Sequence, residues 1–180
     1  MRIVEKILGD VLVISPADNG GGNGSTCVFS VNQLAALGIT AEFVQDNQSL
    51  SNHGVIRGLH YQIQHPQAKL VHVSDGSITD VVVDLRRSSP NFGKYSIIEL
   101  SGSNGLILFI PQGYAHGFMV TSTQATVLYK VTDYRYPEYE RTLLWNDSEL
   151  AIPWPVNVEK LVISEKDRFG IPFRHSDYFV

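Results

Sequence analysis

From residue 42 onward the chain is cut into short apolar runs that are β-branched or aromatic, with no helix-period stretch between them. The runs are Val55 to Gln62, Lys69 to Val73, Ile78 to Leu85, Tyr95 to Leu100, Leu106 to Ile110, Gly117 to Thr121 and Ala125 to Val131. Glycine, proline, serine or asparagine separates most of them. Many short strands without intervening helices specify an antiparallel sandwich or barrel, and a jelly roll fits the count. The fold class is therefore all-β, an antiparallel jelly-roll barrel with short peripheral helices. Asn104-Gly105, between two of the runs, is the strongest hairpin signal in the sequence. Upstream, Val11 to Ile14 reads as a strand, and Asn32 to Leu37 as a short helix closed by Gly38. The four glycines of Asp18 to Ser25 mark a loop rather than a phosphate cradle, because no Gly-Lys-Ser/Thr pattern follows. After Trp145 the chain is richer in proline and charge. That tail is expected to wrap the barrel and bring Asp167 to its mouth. Residues 1–180 read as one domain.

Composition narrows the partners. A 180-residue chain with 43% hydrophobic and 18% charged residues is ordinary for a soluble globular protein. A net charge of −4 offers no general attraction to nucleic acid, but allows a local basic pocket for a phosphorylated ligand. No signal-peptide pattern opens the chain, and no apolar run approaches the roughly 18 residues of a membrane span. Cys27 is the only cysteine, so no internal disulfide forms and it reads as apolar filler. The expected setting is the cytoplasm, with neither membrane nor nucleic acid as partner.

The residues that carry chemistry are spread over several of the strand-like runs. His60 stands in Arg57-Gly58-Leu59-His60-Tyr61-Gln62. Alternation puts Gly58, His60 and Gln62 on one face of that strand, with Gln62 among the expected substrate-binding residues. Arg57, at odd spacing, faces away unless the strand bulges, most cheaply at Gly58. A neutral histidine acts as general base only when its tautomer and ring plane are held, and a carboxylate on its other nitrogen does that. Asp167 is the candidate carboxylate. Lys69 opens an apolar strand, and pointing inward it would stabilise an enolate oxygen. His116 follows a proline-glycine turn in Pro111-Gln112-Gly113-Tyr114-Ala115-His116-Gly117. Tyr129, opposite His60, would return a proton to the other face of a planar enolate. Arg57, Lys166 and Arg141 are the cations available for a diphosphate. Taken singly, each of these residues is more often a satisfied core or surface group. Together they are the equipment for moving a proton at carbon beside a carbonyl. No metal is expected: Gln62 stands where a second histidine would follow His60, and neither His65 nor His72 completes a facial triad.

Taken together these motifs resemble the dTDP-4-dehydrorhamnose 3,5-epimerase family of nucleotide-sugar epimerases, which are cupin-like jelly rolls without metal. The resemblance runs from about Gln45 to Asp167. It rests on Gln45-Asp46-Asn47, Arg57 to Gln62, Lys69-Leu70-Val71, the Pro-x-Gly-x-x-His-Gly-Phe run, Tyr129-Lys130-x-Thr132 and Trp145-Asn146-Asp147. It implies His60 as base with Asp167, Tyr129 as acid, and Lys69 and His116 as partners of the sugar ring. It also implies Gln45, Asn47, Arg57, Glu140 and Lys166 as holders of the nucleotide diphosphate, a homodimer, and no cofactor. The expected activity is inversion at C3, C5 or both of a nucleotide-linked 4-keto-6-deoxy sugar, in deoxysugar and surface-polysaccharide biosynthesis. A 3,4-ketoisomerase or a non-catalytic sugar-nucleotide binding barrel are the alternatives. The chain departs from the family in two places. An N-terminal Asp-x-Arg-Gly-x-Phe-x-Glu segment is replaced by the glycine-asparagine loop and Cys27-Val28-Phe29-Ser30-Val31. Two adjacent tyrosines are replaced by Tyr134-Arg135-Tyr136. The altered base-binding end leaves dTDP, CDP and GDP open and predicts dTDP as the weakest of the three.

Overall fold

A computed structural model describes residues 1–16, 29–155 and 161–180, so Cys27 and the loop of residues 18–25 lie outside the described residues. Two β-sheets face each other. The first runs in the order β1 (Arg2–Ile7), β2 (Val11–Ser15), β8 (Ile107–Ile110), β5 (Lys69–Asp75), β10 (Gln124–Val131) and β3 (Gln45–Asn52). The second runs β11 (Glu140–Thr142), β4 (Val55–Gln62), β9 (Tyr114–Val120), β6 (Ser77–Asp84) and β7 (Tyr95–Ser101). The ladders within both orders are antiparallel, and the short β12 (Val162–Ile163) adds to β4 in parallel. From β3 to β6 each strand lies in the sheet opposite its predecessor, which makes this a jelly roll.

That alternation corrects the hairpin expected at Asn104-Gly105. The turn is present: Gly105 has φ +59°, and the Asn104 side-chain Oδ1 accepts from the Ser101 and Leu106 amides at 3.1 and 3.0 Å. Yet β7 pairs with β6 and β8 with β2 and β5, so the turn passes from one sheet to the other. Local turn chemistry was legible, and the burial of strand faces across the barrel chose the partners. Four strands went unread: β1, β3, β11 and β12. β3 is polar almost throughout (QDNQSLSN) and sits at a sheet edge, where one face and one edge meet solvent. β9 starts at Tyr114 rather than Gly117, so His116 lies inside a strand.

The space between the sheets is filled by Val71, Val73, Leu108, Ile110 and Val127 from the first and Ile78, Val82, Leu100, Phe118 and Val120 from the second. The opposite faces are covered separately. Helix α1 (Val31–Ala36) is capped by Ser30, whose hydroxyl accepts from the Gln33 amide at 3.4 Å, and it lays Leu34 over Leu12, Ile14 and Leu70. The chain after Trp145 does wrap the barrel. Leu150, Ile152, Trp154 and Phe173 pack on Leu59, Val81, Val83 and Met119. Burying each such side chain is worth roughly 1.5–3 kcal/mol, enough to hold the short helix α2 (Glu165–Arg168) firmly against β4. No helix among the described residues is long and apolar enough to cross a membrane.

Candidate active site

The site begins with a close approach of β4 and β9. A Cβ on Gly58 would stand 2.5 Å from the Gly117 Cα, and one on Gly117 would stand 2.6 Å from the Arg57 carbonyl. Only glycine fits at either position. The ladder slips between Arg57 and His60, which is the bulge that lets both side chains enter one cavity despite their odd spacing. Ile56 and Leu59 take the other face and join the outer core.

His60 Nε2 meets the Asp167 carboxylate at 2.5 Å. Asp167 comes from α2, whose cap Ser164 accepts the Asp167 amide at 3.1 Å and so fixes the carboxylate's direction. With Nε2 committed, Nδ1 is the nitrogen left for a substrate. Burial pushes the His60 pKa below its usual 6.5 although Asp167 opposes the shift, so the ring is neutral and basic at neutral pH. On Asp167, burial works upward, but the hydrogen bond and charge of His60 outweigh it and hold the carboxyl below its usual range.

Directly across the ladder from His60 lies His116. Its Nε2 meets Asp80 at 2.8 Å, and Asp80 is fully buried with its Oδ1 unpartnered. Burial raises the Asp80 pKa, with His116 pulling the other way. Asp80 was not singled out from the sequence. The signal was available: Ile78, Asp80 and Val82 share the inward face of β6, and a carboxylate on a core face needs a partner. Lys69, from the opposite sheet, donates to the His60 carbonyl at 3.4 Å. Burial lowers its pKa to about 8, against the upward pull of Asp80 and Glu140.

Tyr129 lines the same cavity from β10, in the sheet opposite the one that carries His60. Burial raises its phenol above the usual value, with Arg57 opposing. A cavity of about 250 Å³ is bounded by Arg57, His60, Lys69, His116, Tyr129, Arg135, Glu140 and Lys166. A neighbouring one of about 120 Å³ shares His60, Lys69, Tyr129, Arg135 and Glu140 and adds Gln45, Asn47 and Gln62. Ten of the eleven expected site residues therefore line one connected region, and the eleventh, Asp167, stands behind His60, bonded to its Nε2. Gln62 lines it but has no free amide hydrogen: its Nε2 donates to the His65 and Tyr134 carbonyls, and its Oε1 accepts from the Tyr136 amide. Both amide hydrogens are thus spent on the wall, and only the second lone pair of Oε1 is left for a substrate contact. Arg141 is a correction. It alternates away from Glu140 and pairs with Asp177 at 2.7 Å outside the cavity. Arg135, which the sequence reading passed over, supplies a cation at the lip instead. Among the described residues no group of three or more His, Cys, Asp or Glu converges on a metal-sized point. A larger cavity of about 350 Å³ lies beside β3 and β10, where Leu70, His72, Leu128 and Lys130 alternate away from the barrel interior; it holds neither histidine–carboxylate pair.

A carboxylate-held imidazole, a phenol from the other sheet and several cations line one cavity of a β-barrel, groups of the kind that acid–base enzymes use. A family model described as dTDP-4-dehydrorhamnose 3,5-epimerase matches residues 5–175. The enzyme of that name from Pseudomonas aeruginosa is 46% identical over 99% of both chains. Among solved structures, the Elizabethkingia anophelis enzyme superposes with a TM-score of 0.92, at 39% identity and 99% coverage of both chains. The Legionella pneumophila 3,5-epimerase in complex with dTDP-4-keto-L-rhamnose gives 0.90, at 41% identity, covering 98% of this chain and 94% of that one. The chain belongs to the dTDP-4-dehydrorhamnose 3,5-epimerase family and is an isomerase of that epimerase type.

Proposed function

We propose that the protein inverts C3 and C5 of a dTDP-linked 4-keto-6-deoxy sugar in deoxysugar biosynthesis, with His60 as base and Tyr129 as acid. The observation that carries this reading is the placement of the two groups on facing sheets, so that a flat sugar ring between them meets the imidazole on one side and the phenol on the other. His60 Nδ1 takes the hydrogen on carbon next to the C4 carbonyl, and the electron pair moves onto the C4 oxygen. The Lys69 ammonium and His116 hydrogen-bond that oxygen as its charge develops. Tyr129 then gives its proton to the opposite face, the ketone re-forms, and the stereocentre is inverted. The substrate's own carbonyl provides the acidity, so the balance needs no redox cofactor.

The relatives' names weigh for dTDP, and the Legionella enzyme is described with a dTDP sugar bound. We therefore set aside the expectation that dTDP is the weakest of the three nucleotides. The family resemblance also supports a homodimer, which sedimentation at several concentrations checks. The test of mechanism is NMR in D₂O with dTDP-, CDP- and GDP-linked 4-keto sugars in parallel. Wild type should invert the dTDP substrate fastest, with deuterium incorporated at each inverted carbon. Tyr129→Phe should still exchange deuterium but give less inverted product per exchange. Loss of exchange and inversion in equal proportion would reassign the acid.

A further inference from the structure

The lip of the cavity carries an ion cluster that the acid–base chemistry does not use. Arg135, on the loop after β10, directs Nε and Nη2 at Glu140 Oε2, at 3.1 and 2.8 Å. Lys166, on α2, reaches Glu140 Oε1 at 2.6 Å. Two cations from separate segments thus share one carboxylate, and their side chains are 63% and 44% exposed while that of Glu140 is 16% exposed. Arg57 opens onto the same cavity and, among the described residues, its side chain hydrogen-bonds only the neutral Ser51 hydroxyl at 3.0 Å. Three cations against one carboxylate leave positive charge unmatched at the lip. The exposed Arg135 guanidinium and the part-exposed Lys166 ammonium are the two that can turn to an incoming anion.

We propose that Arg135 is a diphosphate-binding residue of this chain, and that Glu140 stands in for the diphosphate until substrate arrives. The proposal rests on the nucleotide-sugar reading of the site. A guanidinium that already grips a carboxylate through two N–H groups offers the same fork to a phosphate. A diphosphate brings more negative charge than the single carboxylate it displaces, so exchange of both cations is favourable. Glu140, left behind, keeps the field of Lys69. A carboxylate has no use as a direct diphosphate ligand, so this also gives Glu140 a physical role at that end of the pocket.

The experiment is calorimetric titration of the full chain with inorganic pyrophosphate and, separately, with thymidine. Arg135→Ala should bind pyrophosphate about tenfold more weakly, the size expected for one charge-assisted fork at a part-exposed site. Arg135→Lys should recover part of that loss, and thymidine binding should be the same in all variants. Glu140→Gln should bind pyrophosphate several-fold more tightly. Unchanged pyrophosphate affinity in Arg135→Ala, or wild type failing to bind pyrophosphate, overturns the proposal. Weaker binding by Glu140→Gln overturns the stand-in role, because it would mean that Glu140 holds the cations in their binding geometry. The two readings fail separately. A wild type that inverts a dTDP sugar while Arg135→Ala binds pyrophosphate normally sinks only the Arg135 assignment. A wild type that binds pyrophosphate through Arg135 yet turns over no nucleotide-linked 4-keto sugar sinks only the substrate reading.

Discussion

His60 with Asp167 and His116 with Asp80 are the same pair of residue types, each joined through Nε2, on neighbouring strands of one sheet. They differ in depth. The His60 side chain is 28% exposed and its carboxylate arrives from α2, 107 residues downstream. The His116 side chain is 8% exposed, and Asp80, on the adjacent strand β6, is fully buried with one oxygen unpartnered. A base must meet its substrate and exchange its proton with solvent, which suits the pair at the mouth. A group that polarises a carbonyl oxygen gains from a dry, low-dielectric floor, where each dipole counts for more. In the proposed mechanism, burial gives the two imidazoles different work although their chemistry is alike.

The largest effect should separate the pairs directly. His60→Ala removes the proposed base and should lower kcat by about 10²–10⁴-fold, the usual worth of general-base catalysis. The fold should be unchanged by circular dichroism, since the side chain fills no core cluster. Near-wild-type deuterium exchange in this variant would end the assignment and pass the base role to His116. Asp167→Asn should come next. It keeps the shape but presents an amide to Nε2, which favours the wrong tautomer, with an upper bound of about 10⁴-fold. A loss below tenfold would mean that packing of α2, rather than charge, orients His60.

These two pairs also show what a sequence makes legible. His60, Lys69, His116 and Tyr129 come from β4, β5, β9 and β10 yet reach one cavity, with Asp167 of α2 bonded to His60, because each is a chemically marked residue in a strand or tail whose inward face can be inferred. Asp80 was hidden inside a run of valines and isoleucines read only as apolar. Period-two alternation would have placed it on the core face. Arg135 had no such signal: its position depends on where the loop after β10 crosses the lip, and that is set by contacts across the barrel. The same non-locality misled the hairpin at Asn104-Gly105. Polar β3 lacked any alternation to read, because an edge strand buries too little to need one.

Asp80→Asn should have a smaller and differently shaped effect. It removes a buried charge but keeps the side-chain volume and an oxygen that can accept from His116, so the desolvation cost falls and the melting temperature should stay level or rise. Activity should fall nonetheless, by less than the 10²–10³-fold that follows outright loss of an oxyanion donor. A stability gain with a kcat loss is the expected signature, read by thermal melting beside steady-state kinetics. Stability lost in step with activity would make Asp80 a structural partner of His116 and nothing more.

The smallest expected effects lie in the pH profile, and there the two carboxylates should act on opposite limbs. His60 works as a base only when neutral, so kcat/KM should fall as pH drops through its pKa, which burial has already moved below 6.5. Asp167 props that pKa up, so Asp167→Asn should shift the acid limb to still lower pH in whatever activity remains. In the proposed mechanism Lys69 works as a cation, so activity should fall as pH rises through about 8. Tyr129 must also keep its proton, but burial has moved it above its usual 10.0, so the alkaline limb reports Lys69. The charge of Asp80 is the first influence that raises the Lys69 pKa against burial, so Asp80→Asn should draw the alkaline limb below 8 and leave the acid limb in place. One result would remove the distinction between mouth and floor: both limbs moving together in both variants, as they would if the four side chains titrated as one coupled unit. An alkaline limb unmoved by Asp80→Asn would instead show that Asp80 is already protonated in the working enzyme, the state toward which its burial drives it.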